Sequence, residues 1–104
     1  MRRGKYGARK TEIDGITFAS AKEARRYAEL KIEERAGLIR NLELQPVYEI
    51  AINGVRVCKY VGDFRYFRDQ DRVLEDVKGQ KTPMYRLKRK LVEAAYPGTK
   101  IIEI

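Results

Sequence analysis

Apolar and polar residues alternate through YVGDFRYFRDQDRVLEDVKG, the stretch from Tyr60 to Gly79. A period of two marks strands with one covered face, so the stretch predicts two strands joined by a charged turn. Phe64 and Tyr66 alternate with arginines in the first, and Val73 to Lys78 form the second. Asp63 is expected toward the middle of the first strand and Asp76 near the end of the second. Because strand side chains alternate between faces, Asp76 and Lys78 should point one way and Val77 the other.

The pattern changes elsewhere along the chain. Thr11 to Phe18 has Asp14-Gly15 between short alternating segments, which predicts a tight hairpin. From Ser20 the spacing becomes helical, with Ala24, Tyr27, Ala28 and Leu30 in register and Gly37 as the expected C-terminal cap. Asn41 to Ile52 alternates again as a strand that Pro46 bends or confines to an edge. Asn53-Gly54 predicts a second tight turn, after which Val55 to Val57 begin the return toward Asp63. Thr82 and Pro83 read as the cap and first position of another helix, with Met84, Leu87, Leu91 and Ala94 or Ala95 as its buried stripe. Tyr96-Pro97-Gly98 stops that helix, and Lys100 to Ile104 read as a last strand. Residues 1–10 lack periodicity and carry five basic residues, so they are expected to be a flexible basic arm before a single domain spanning 11–104.

Composition narrows the chemistry. A chain of 104 residues has room for one core. Its net charge of +8 favours a polyanionic partner, of which nucleic acid is the commonest, against the plainer reading of a merely soluble basic protein. The count of histidines is zero, which removes histidine-based nucleases, zinc fingers and the usual catalytic triads. Cys58, the single cysteine, allows no intrachain disulfide and reads as a small packed residue. With no signal peptide and no apolar run long enough to span a bilayer, a cytoplasmic protein with no membrane partner is expected.

Asp63, Asp76 and Lys78 make an acid-and-lysine set of the kind a Mg²⁺-dependent phosphodiesterase uses. Two carboxylates and the Val77 carbonyl would supply hard oxygen ligands to Mg²⁺ or Mn²⁺, and Lys78 would hold and polarise the attacking water. The same three side chains could equally form ion pairs on a solvated sheet face.

At these residues the chain resembles the PD-(D/E)XK (restriction endonuclease-like) nuclease superfamily, Asp63 standing as the D and Asp76-Val77-Lys78 as the (D/E)XK. Through KYGARKTEIDGITFASAKEARRY, LELQP, YVGDFRY and LEDVKG it also looks like a family of small phage and prophage proteins assigned to that superfamily. Gly62 departs from the pattern, standing where the superfamily's name has proline. The resemblance implies an α/β (α+β) fold, an N-terminal hairpin and then α-β-β-β-α-β with a mixed central sheet flanked by helices. It implies a Mg²⁺-dependent DNA endonuclease acting on phage junction or branched DNA inside a bacterial host cell, leaving a 5′ phosphate. A homodimer is expected, because cutting two strands takes two sites. Glu23 takes two readings: Ser20 and Glu23 fit a capping box, and the resemblance makes Glu23 a further catalytic and metal-binding acid. Arg2, Arg3, Lys5, Arg9, Lys10, Arg25, Arg26, Lys81, Arg86, Lys88 and Arg89 are the expected nucleic-acid contacts. The alternative is a non-catalytic nucleic-acid-binding protein with a degenerate nuclease fold.

Overall fold

A computed structural model describes residues 10–77 and 81–104. The described chain runs β1 (Thr11–Ile13), β2 (Ile16–Phe18), α1 (Ala21–Arg35), β3 (Arg40–Leu44), β4 (Val47–Ile52), β5 (Val55–Val61), β6 (Phe64–Arg68), β7 (Asp71–Asp76), α2 (Pro83–Ala95) and β8 (Thr99–Glu103). It is a mixed α and β protein. Four strands form the main sheet in the order β3-β6-β7-β8, with β7 antiparallel to β6 and parallel to β8. β1 with β2 and β4 with β5 make two separate antiparallel hairpins.

Local chemistry explains the turns and caps. Asp14 and Gly15 (φ 55° and 76°) and Asn53 and Gly54 (φ 52° and 79°) both place two successive residues in the left-handed region that a two-residue hairpin turn requires. The Ser20 hydroxyl accepts the Glu23 N–H at 3.1 Å and starts α1, and Gly37 at φ 81° follows its end. Thr82 caps α2 in the same way by accepting the Tyr85 N–H at 3.1 Å, with Pro83 at the first helical position.

A different layer packs on each face of the main sheet. Ala24, Tyr27 and Leu30 of α1 pack with Phe18, Phe64, Tyr66 and Val73. On the opposite face Leu74 packs with Tyr48, Ile50 and Tyr60 of the β4–β5 hairpin and with Tyr85 and Val92 of α2.

Two expectations are corrected. Asn41 to Ile52 is not one bent strand but two strands in different sheets. Gln45 takes φ 51° and Pro46 has no N–H to give a ladder, so the chain leaves the main sheet there. The predicted stripe of α2 is also displaced, since Met84 and Leu87 are 60% and 54% exposed while Tyr85 and Val92 are buried. Aromatic packing decides the rotation. The Tyr85 ring lies 6.3 Å from Tyr60 and Tyr96 makes an edge-on contact with Tyr48 at 4.9 Å, so the tyrosines bury more surface than Met84 and Leu87 would.

Gly62 has a physical reason. It is buried, and a β-carbon there would penetrate the Leu74 side chain, which is itself 0% exposed. Its N–H also donates to the Pro46 carbonyl at 3.0 Å, a bond that proline could not make.

Candidate active site

The proposed acids lie at one end of the sheet. Asp63 is not mid-strand as the alternation predicts; it occupies the short link between β5 and β6, because β5 belongs to the separate hairpin and the chain must cross back to the main sheet. Its N–H donates to the Glu75 carbonyl at 3.0 Å, and its Oδ2 accepts the Val77 N–H at 2.6 Å. That second bond is charge-assisted and sets the carboxylate against the Asp76–Val77 peptide. Asp76 ends β7 and is 1% exposed. The register Phe64 to Glu75 brings the start of β6 beside the end of β7, so the two acids arrive from adjacent strands.

Alternation along β7 then assigns faces. Val73 and Glu75 look toward α1, whereas Leu74 and Asp76 look toward α2. In the parallel ladder Asp76 pairs with Glu103 of β8, and its charge, after burial and the Glu103 hydrogen bond, helps push the Tyr85 hydroxyl up.

Glu23 approaches from the other side. Arg26 reaches Glu75 and Glu33 reaches Arg68, which fixes the direction of α1 over the sheet. One turn before Arg26, about 5 Å along the helix, Glu23 falls toward the end of β7 where Val77 follows. It is 9% exposed on the inner face. Ser20 does cap the helix at Glu23, so the structural half of the dual reading is present. Among the described residues, however, no group of three or more acids or other ligating side chains stands within reach of one ion. The structure brings Asp63 and Asp76 to neighbouring strand ends, with Glu23 on the α1 side. Lys78 lies outside the described residues. Mg²⁺ and Mn²⁺ need only one or two protein carboxylates, with water and phosphate oxygens completing the shell, so Asp63 and Asp76 fit such an ion in donor type and number.

Two charged clusters that the sequence reading did not single out flank these acids. Glu75 is 0% exposed, yet Arg26 grips both its oxygens, Nε at 2.7 Å and Nη2 at 2.6 Å, and the Tyr66 hydroxyl donates to it as well. Burial first, then that hydrogen bond, pushes the Tyr66 hydroxyl up to about 12. A glutamate on the Val73–Val77 face of an alternating strand was the readable signal. The second cluster surrounds Glu103, which accepts from Tyr85 at 2.7 Å and pairs with Lys81 at 2.9 Å and Arg89 at 2.7 Å. The Tyr85 hydrogen bond, followed by those from Lys81 and Arg89, holds its carboxyl down to about 2 from an ordinary 4.5. A carboxylate with a depressed folded pKa stabilises fully above its unfolded value and loses that contribution as pH falls through the folded value. Stability should therefore decline between about pH 4.5 and 2. Glu103→Gln is expected to shallow that decline in thermal melts taken across this range; unchanged acid sensitivity would contradict the assignment.

The expected phosphate contacts divide. Lys10, Arg25 and Arg86 are exposed and Lys88 is half-buried. Arg26, by contrast, is committed inward to Glu75, while Lys81 and Arg89 are locally paired with Glu103. Arg2, Arg3, Lys5 and Arg9 lie outside the described residues. No helix among the described residues is long and apolar enough to cross a membrane.

A family described as protein of unknown function (DUF1064) matches residues 3–104. None of the curated proteins matches the chain.

Proposed function

We propose, from the premise that the chain belongs to that family of unknown function, that it is a Mg²⁺-dependent endonuclease hydrolysing phosphodiester bonds of DNA. The observation carrying this reading is the meeting of Asp63 and Asp76 at adjacent strand ends, the first anchored on the peptide that leads into Val77 and Lys78. The order α1-β3-β6-β7-α2-β8, with β4–β5 as an inserted hairpin, supports the resemblance to the PD-(D/E)XK nucleases of phage.

In this reading Asp63, Asp76 and the Val77 carbonyl would hold the ion, with Glu23 the candidate for a further acid. A bound divalent ion supplies acidification of water and neutralisation of phosphate charge, which makes a histidine base unnecessary. Lys78 would hold the attacking water, and the Val77 N–H keeps Asp63 oriented. Water oxygen bonds to phosphorus while the bond to the 3′ oxygen breaks, leaving a 5′ phosphate. Junctions and branched DNA are the favoured substrates, in line with the resemblance to the phage nucleases.

Purified protein should nick branched DNA with Mg²⁺ or Mn²⁺ and not with EDTA, and Lys78→Ala should lose cleavage while keeping DNA affinity. Cleavage that survives this change, or that ignores EDTA, removes the reading. A homodimer would supply one site per strand; sedimentation of only monomer, with and without DNA, would remove that part alone. The second reading, a non-catalytic DNA binder, draws on the Asp63 carboxylate's hydrogen bond to backbone and the lack of a three-ligand group among the described residues. It predicts salt-dependent association indifferent to metal.

A further inference from the structure

The main sheet is not fully covered on its α2 side. Leu74 and Ile101 are packed beneath α2 and the β4–β5 hairpin, and the Tyr48 ring reaches only as far as Arg65, whose guanidinium lies 5.4 Å from its centroid. Two residues further along β6, on the same face, Phe67 belongs to neither core cluster and is half-exposed. The register sets Arg40, Phe67, Arg72 and Thr99 in one row across all four strands. Arg40 lies 5.2 Å and Arg72 5.3 Å from the Phe67 ring centroid. Both arginines are exposed.

Among the described residues no acid forms an ion pair with either of the two, in contrast to Arg65, Arg68 and Arg26. Arg65 is closed by Glu43, Arg68 by Glu33 and Arg26 by Glu75. Among the described residues neither Arg40 nor Arg72 has a carboxylate partner within 4 Å; Arg40 donates instead to the Asp69 carbonyl at 2.8 Å. Glu43, whose carboxyl is held down first by the Arg65 hydrogen bond and last by the Arg72 charge through space, is itself closed on Arg65. The two exposed guanidinium groups beside the ring therefore remain open to an anionic ligand. An acidic peptide would need only the charges. The ring between them adds a stacking surface that carboxylates do not use and unpaired bases do. A duplex keeps its bases stacked internally and could use only the arginines.

We propose that the Arg40-Phe67-Arg72 row is a binding platform for single-stranded DNA, with bases stacking on Phe67 and the guanidinium groups and phosphates neutralised by the arginines. The platform goes beyond the cleavage reading and stands whether or not Asp63 and Asp76 cut. It lies four residues along β6 from Asp63 and four along β7 from Asp76, about 13 Å at the usual strand rise. A single-stranded arm could reach it from a break or fork at the acids.

The test is fluorescence anisotropy with labelled oligothymidine in EDTA, so that cleavage plays no part. Phe67→Ala should weaken binding about fivefold or more, while Phe67→Tyr preserves it and a duplex of equal length is insensitive to either change. Arg40→Gln with Arg72→Gln should lower the salt-dependence slope by about 1.4, at roughly 0.7 per single-strand phosphate contact. Unchanged oligothymidine affinity in folded Phe67→Ala, or equal losses for duplex, overturns the platform. Should circular dichroism show Phe67→Ala unfolded, the exposed arginine pair decides: an unchanged affinity and slope overturns it equally. Oligouridine bound much more tightly than oligothymidine overturns the DNA assignment, and polyglutamate competing as well as oligothymidine overturns the nucleic-acid one.

Discussion

Arg26→Ala is expected to lower the unfolding free energy by about 3–5 kcal/mol, the usual consequence of stranding one member of a buried ion pair. Glu75 is 0% exposed and Arg26 meets both of its oxygens, so removing the guanidinium leaves a buried carboxylate whose remaining hydrogen bond among the described residues comes from Tyr66. The Glu75 hydrogen bond also raises the Arg26 pKa, which marks how strongly the charged pair is favoured. Removing the whole polar cluster should do far less harm than breaking it. Arg26→Met combined with Glu75→Leu and Tyr66→Phe replaces it with apolar volume and should recover most of the loss. Urea melts of the single and triple variants check this, and a single-variant loss below about 1 kcal/mol would show that the pair is not buried in solution.

Asp76→Asn is expected to reduce Mg²⁺-dependent cleavage by a factor on the order of 10²–10³ or more, while leaving the fold and the DNA affinity in EDTA in place. Asparagine keeps the shape of the side chain where β7 ends and removes the charge that would attract a divalent ion. The prediction separates two roles for one buried acid. If Asp76 serves only packing and local ion pairing, its neutralisation should alter the melting temperature and leave cleavage by the wild-type assay intact. A cleavage rate within a few-fold of wild type would exclude Asp76 from the chemistry, whatever happens to stability.

What could be read from the chain was what depends on a few consecutive residues. Asp14-Gly15, Asn53-Gly54, Ser20 and Thr82-Pro83 each define a turn or cap by their own backbone and side-chain preferences, and each lies where expected. The features that differed depend on partners far away in sequence. Pro46 signalled an interruption, but only the bonds from Gln45 to Asp63 and from Gly62 to Pro46 show that it separates two sheets and moves Asp63 into a link. For α2 the expected stripe of Met84, Leu87, Leu91 and Ala94 or Ala95 gave way to one centred on Tyr85 and Val92, a rotation decided by Tyr48 and Tyr60 on a hairpin elsewhere. Alternation correctly separated Asp76 from Val77, yet it did not reveal that Glu23 comes from the opposite face of the sheet.

The paired bonds at the base of β4–β5 have one further consequence. Gln45 to Asp63 and Pro46 to Gly62 close the neck of the hairpin before either strand reaches its tip, so the position of Asp63 is set independently of how far the loop extends. The exposed Asn53-Gly54 tip is therefore the natural place for extra chain or a fluorescent label, because added length there is taken up outside the clasp and the register of β6 against β7 is left undisturbed.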